Sequence, residues 1–172
     1  MKKRALYIGR FQPIHLGHVD AIQQILKHPD HFDEIIIAIG SAEDSFLLEN
    51  PLTASERFEL ILGVLEEMKI PREKVWILPV RNIDNYALWP AHVIHLCPEF
   101  NAVFSGSPIV RKLFHDFTEK KVYEINTKRV CISATEIRKK VKKGEDVSSF
   151  LPKSVQEYLQ KLDFRKRLQE IE

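Results

Sequence analysis

His15 and His18 stand three residues apart in the stretch GRFQPIHLGH, Gly9 to His18, which also holds Arg10, Pro13 and Gly17. In a first helical turn that spacing puts both imidazoles on one face. Imidazole and guanidinium N–H groups, joined to the free amides and partial positive charge of a helix N-terminus, make a pocket suited to a polyphosphate. Gly9 lets backbone approach a ligand and Pro13 stiffens the turn. Gly17 leaves out a side chain where a nucleotide would lie close to the helix start. A Walker A loop is excluded, because its lysine and glycine run are missing. Paired histidines also bind zinc, but no third ligand stands nearby. An isolated HxxH is more often a helix cap beside a surface residue; Arg10 and the two glycines argue against that here.

A second constellation is ISATEIRKK, Ile132 to Lys140. Ser133 and Glu136 form a capping box, so Thr135 and Arg138 ride the first turns of a new helix whose start is a second anion site. Arg138 could hold phosphate oxygens from the side opposite the histidines. Alone, SxTxxR reads as a capped basic helix; paired with the first stretch it gains force.

Both constellations need a scaffold that brings distant parts of the chain together. Short apolar runs rich in β-branched residues recur at ALYIG (5–9), EIIIAIG (34–40), KVWILPV (74–80), NAVFSG (101–106) and KVYEI (121–125), and each reads as a buried strand. Helical patterns lie between them. HVDAIQQILKH follows the first run; SERFELILGVLEEMK follows Thr53, which with Glu56 forms a capping box, and places Phe58, Ile61, Leu62, Leu65 and Met68 at helical spacing. Pro90 and Pro108 fit first helical turns, the latter behind a cap at Ser107. The alternation predicts an α/β fold: a single Rossmann-like, doubly wound sheet of about five parallel strands with helices on both faces. Ligands then bind at the carboxyl ends of the strands. The tail from Pro152 keeps helical spacing through Val155, Leu159, Leu162 and Leu168, predicting a C-terminal helical tail against the sheet or another subunit.

The 172 residues suit one domain, with a core over 1–130 and the motif helix and C-terminal helices over 131–172. Apolar residues make up 44% and charged residues 29%, with 26 basic against 24 acidic, so a net charge of +2 offers little general attraction to a polyanion. Lys139, Lys140, Lys142, Lys143, Arg165, Lys166 and Arg167 read as solvated helix faces, and no aromatic interleaving supports single-strand binding. His92, His95 and His115 read as structural or exposed. Cys97 and Cys131, far apart and in no CxxC pairing, read as partly buried thiols and suit a reducing cytoplasm. The apolar run after the basic N-terminus stops too soon for a signal peptide, and no segment approaches membrane-spanning length.

Taken together, GRFQPIHLGH and ISATEIR resemble the nucleotidylyltransferase superfamily, which carries HxGH after the first strand and SxTxxR late in the chain. The chain is most similar to the archaeal-type nicotinamide-nucleotide adenylyltransferases over nearly its whole length, including GSAEDSFLLENPLTASER (40–57), ALWPAH (87–92) and SGSP (105–108). HxGH alone is shared with class I aminoacyl-tRNA synthetases and fixes only the superfamily. The resemblance implies transfer of adenylyl from ATP to nicotinamide mononucleotide (NMN), giving NAD and pyrophosphate, with Mg²⁺ carried by the ATP phosphates rather than by the protein. It implies His15, His18, Arg10 and Arg138 as catalytic groups. Gly9, Phe11, Gly17, Gly106, Ser133 and Thr135 would complete the ATP site; Gly40, Ser41, Ile83, Tyr86 and Trp89 would bind NMN, with Trp89 stacking on the nicotinamide ring. A homo-oligomer, often a hexamer, is also implied. Tyr86, Phe46 and Ser107 depart from the commoner asparagine, histidine and asparagine of that family, which puts acceptor recognition in question. The alternatives are nicotinic acid mononucleotide or phosphopantetheine as acceptor, a catalytically silent nucleotide-binding module, and an RNA-binding protein.

Overall fold

A computed structural model describes residues 2–127 and 130–171. Each apolar run forms a strand: β1 Arg4–Gly9, β2 Glu34–Ile39, β3 Val75–Pro79, β4 Ala102–Ser105 and β5 Lys121–Glu124. All pair in parallel, in the order β3-β2-β1-β4-β5. Seven α-helices are present among the described residues: α1 Leu16–Leu26, α2 Ala54–Glu67, α3 Trp89–Leu96, α4 Pro108–Phe117, α5 Ala134–Lys143, α6 Lys153–Lys161 and α7 Phe164–Glu170.

Period-two alternation along the strands divides the core between the two faces. Ala5, Tyr7, Ile35, Ile37, Ala102 and Phe104 pack with α1, α2 and the C-terminal helices; Leu6, Ile36, Ala38 and Val103 pack with Val93 of α3 and Phe114 of α4. Strand order reverses between β1 and β4, so the connections leaving those neighbours run to opposite faces and open a crevice at their carboxyl ends. The histidine stretch leaves β1 at that point.

The expected capping boxes form at Thr53/Glu56 and Ser133/Glu136, and Ser107 caps α4. On α2 the buried stripe is Arg57, Leu60, Ile61, Val64 and Leu65, while Phe58, Leu62 and Met68 are only partly buried. The stripe is rotated from the expected one because α2 meets α6 as well as the sheet. The tail also differs: Asp163, at φ 48°, turns the chain between α6 and α7, which pack on α2 and α5 and bring Val155, Leu159, Phe164 and Leu168 to the core on that side of the sheet. No described helix is long and apolar enough to cross a membrane.

Candidate active site

The turn after β1 uses its histidines twice. His15 is the N-cap of α1: its Nδ1 accepts the Gly17 amide at 3.1 Å, while Nδ1 of His18 accepts the His15 amide at 3.2 Å. This is a reciprocal capping box built from imidazoles. With both Nδ1 atoms accepting, the neutral rings carry their proton on Nε2, the donor each has left for a ligand. Burial pushes His15 down to about 4, and burial followed by the neighbouring His15 holds His18 well below the ordinary imidazole range. At neutral pH the two are dipolar donors, not cations. The cap reading and the site reading therefore describe the same residues.

The space at Gly17 is not kept for a nucleotide alone. A Cβ there would stand 2.9 Å from Cε1 of His15, so glycine makes room for the imidazole itself. Gly106 behaves alike, since a Cβ would meet the Thr127 methyl at 2.6 Å. Phe11, expected in the ATP site, turns its side chain inward. Its backbone is left-handed, φ 52°, and its ring is 1% exposed, 4.9 Å from the His18 ring and edge-on to Tyr7. Its side chain packs on His18 and lies outside the three cavities of the crevice.

Three cavities follow one another along the crevice. The first, about 220 Å³, is lined by His15, Gly17, His18 and Gly106, with Asp20, Asn126 and Thr127. The second, about 390 Å³, is lined by Arg10, Gly40, Ser41, Tyr86 and Trp89. They share a wall of Ile8, Gly9, Ser105 and Ser107 from the ends of β1 and β4. The third, about 270 Å³, holds Arg10, Thr135 and Arg138 at the start of α5. Trp89 packs edge-on against Phe114, at 5.8 Å between centroids, and Tyr86 is largely exposed.

Two predicted residues are not brought in. Ile83 is half-buried outside the second cavity, where Asn82 takes its place. The Ser133 hydroxyl and amide are both engaged by Glu136, so Ser133 caps α5 without lining a cavity. Other readings change too. Cys131 is exposed, whereas Cys97 is half-buried and its thiol is pushed up to about 11 by burial. Lys139 and Lys142 line the third cavity instead of a purely solvated face. Arg167 is held by Glu56 at 2.7 Å and lies over the Phe46 ring at 4.8 Å.

Two site-building residues lie inside the stretches GRFQPIHLGH and GSAEDSFLLENPLTASER without a role having been read for either. Arg57 is fully buried and donates to the carbonyls of Arg10, Gly40, Ser41 and Thr53, with a longer contact to Asp44, pinning the β1 turn to the loop after β2. Burial lowers its pKa to about 10, which leaves it charged at neutral pH. The side chain of Gln12, 1% exposed, exchanges two 2.9 Å hydrogen bonds with the Leu52 backbone, and its backbone carbonyl accepts from Nη1 of Arg138 at 2.8 Å. Arg138 also reaches Thr135 Oγ1 at 3.3 Å, so one glutamine joins both motifs. An arginine amid the apolar residues of α2 was the available signal for Arg57; for Gln12 it was only its place within GRFQPIHLGH. Among the described residues, no group of three or more His, Cys, Asp or Glu gathers to hold a metal.

The cytidylyltransferase-like family profile matches residues 6–140. The chain is 40% identical over 173 residues to a nicotinamide-nucleotide adenylyltransferase of Archaeoglobus fulgidus, covering 98% of this chain and 97% of that one. It is 36% identical over 162 residues to the one of Thermococcus kodakarensis, covering 94% and 85%. Among solved structures, a bifunctional NMN adenylyltransferase/ADP ribose pyrophosphatase from Francisella tularensis superposes with a TM-score of 0.81 at 22% identity. That match covers 99% of this chain and 52% of that one, so the chain spans about half its length. The same protein complexed with AMP and a Mn ion matches with a TM-score of 0.77 and the same 22% identity and coverage.

Proposed function

The chain belongs to the cytidylyltransferase-like family, alongside nicotinamide-nucleotide adenylyltransferases, and we propose that it transfers the adenylyl group of ATP to nicotinamide mononucleotide, releasing pyrophosphate and forming NAD. The observation that carries this reading is the wall shared by the first two cavities, with imidazole donors on one side and an indole on the other. A dinucleotide is two nucleosides joined through phosphates, and two cavities meeting at a ridge of Ile8, Gly9, Ser105 and Ser107 suit its making. In this assignment adenosine takes the first cavity beside Gly106 and Thr127. The nicotinamide nucleotide takes the second, against Trp89, Tyr86, Gly40 and Ser41. The β- and γ-phosphates run past Arg10 toward Thr135 and Arg138 in the third.

The acceptor phosphate, with a second pKa of about 6, is already a dianion at neutral pH. It attacks the α-phosphorus in line, forming one P–O bond as the α–β bridging P–O bond breaks and its electrons leave with pyrophosphate. No side-chain nucleophile or strong base is needed. The chain supplies position and charge complementarity: Nε2–H of His15 and His18 toward the α-phosphate oxygens, amides at the start of α1, and Arg10 and Arg138 along the leaving group. A divalent cation carried by the triphosphate, Mg²⁺ in this proposal, would neutralise developing charge on the leaving oxygens. The predominance of cations and imidazoles over carboxylates along the crevice suits a metal that arrives with its phosphates.

The proposal extends to one catalytic unit over residues 1–172, a cytoplasmic location, a homo-oligomeric state such as a hexamer, and no role in binding nucleic acid or membrane. It is tested by turnover with ATP and, side by side, nicotinamide mononucleotide, nicotinic acid mononucleotide and phosphopantetheine. The first should support the highest kcat/KM. Adenylylation of phosphopantetheine alone would contradict the assignment of the second cavity.

A further inference from the structure

One side chain in the third cavity has the wrong sign for a phosphate site. Arg10, Arg138, Lys139 and Lys142 line it, and so does Glu49, whose carboxylate lies 3.5 Å from Nη1 of Arg10. A carboxylate repels a phosphate tail, so a cradle built only to hold a polyanion tightly gains nothing from it. In the ligand-free chain, however, it offsets the mutual repulsion of two arginines. Arg138 is held down by burial and then by Arg10, and Glu49 opposes that effect. Arg10 and Glu49 are 49% and 77% exposed at their side chains, and an ion pair this open to water separates at little cost. Glu49 also rides a loop fixed at both ends: Arg57 grips Gly40 and Ser41, and Gln12 grips Leu52. Its carboxylate can swing away without disturbing either anchor.

Resting on the reading of this cavity as the polyphosphate end, we propose that Glu49 is a displaceable stand-in for the terminal phosphates. It pairs with Arg10 until ATP or pyrophosphate takes its place, and Lys139 and Lys142 form the outer wall of that subsite. Glu49 thereby weakens the hold on pyrophosphate and favours its release.

The test is calorimetric titration with pyrophosphate and with tripolyphosphate, without acceptor and in EDTA, for wild type, E49Q and K142Q. E49Q should bind both anions roughly two- to fivefold more tightly, the scale of one screened charge pair, and the gain should shrink as salt is raised. K142Q should bind them more weakly, and the KM for the acceptor should stay unchanged in E49Q. Equal or weaker binding by E49Q overturns the proposal. Tighter binding in EDTA but weaker binding with Mg²⁺ also overturns it, because Glu49 would then be meeting the metal. If wild-type protein binds neither anion, the polyphosphate reading of the cavity itself fails; if wild type binds and E49Q is indifferent, only the role of Glu49 fails.

Discussion

His18 presents Nε2–H because the His15 amide occupies its Nδ1, and His15 does the same through Gly17. Structure and chemistry thus hang on the same two rings, with a consequence for pH. Both imidazoles have folded-state pKa values below the unfolded value of about 6.5, His15 at about 4. Between those limits the unfolded chain binds more protons, so stability is full above about pH 6.5 and falls as pH drops through the window. His18→Asn keeps an acceptor for the His15 amide but cannot be protonated; thermal unfolding followed from pH 7 to 4 should show a shallower loss than wild type. Glu34 acts lower. Lys2, then Arg4 and Trp76, hold its pKa at about 2, so its contribution, present above the ordinary carboxylate pKa of about 4.5, is lost only between there and 2. Trp89 belongs to the second cavity alone. Trp89→Ala should therefore raise the acceptor KM by roughly tenfold, the worth of a ring stacked on a cation, and leave the ATP KM near wild type in steady-state kinetics.

Helix starts carry most of the site, and they were the most legible elements. Capping boxes at Thr53 and Ser133 follow from short hydroxyl residues with glutamates three residues on, and the cap at Ser107 from a serine ahead of Pro108. At α1 a helix cap is the ordinary reading of HxxH, set aside for Arg10 and the glycines; that His15 caps the helix and His18 closes the box reciprocally was not legible, because hydroxyl and carboxylate groups are the usual cap chemistry. The break at Asp163 was hidden for a related reason: neither glycine nor proline marks it, and the apolar spacing runs straight through. Arg57 ties the elements together, and its loss should be felt at that level. Arg57→Met leaves backbone carbonyls of the β1 turn and the β2–α2 loop without their donor. Denaturant unfolding should show a loss of about 3–5 kcal/mol, as for a broken buried charged network, and the KM values of both substrates should rise together. A loss under 1 kcal/mol would mean that the loop keeps its place without the guanidinium.

At the scale of the molecule, alternating strands and helices predict a doubly wound sheet, and the five parallel strands form as expected. Strand order is not in the alternation: nothing in the runs says that β4 returns to pair with β1. That return makes the crevice, and with it the shared wall of the two cavities. The basic C-terminal region shows the same limit from the other side. Its charges read as a solvated face until the packing of α7 on α5 and the docking of α5 beside the β1 turn give Lys142 a cavity and Arg167 a partner. Motif residues were legible because their chemistry is local; Arg57, Gln12 and Glu49 act through contacts that only the assembled fold supplies.

Neutral imidazoles beside this wall are proposed to stabilise adenylyl transfer between two bound nucleotides. The most direct test of this role measures NAD and pyrophosphate formed from ATP and nicotinamide mononucleotide by wild type and His18→Ala, with circular dichroism to verify folding. Wild type should form one pyrophosphate per NAD, and the kcat of the variant should be lower by about a hundredfold or more, the loss expected for a transition-state donor. Undiminished turnover in a folded His18→Ala protein, or no pyrophosphate from wild type, would contradict it.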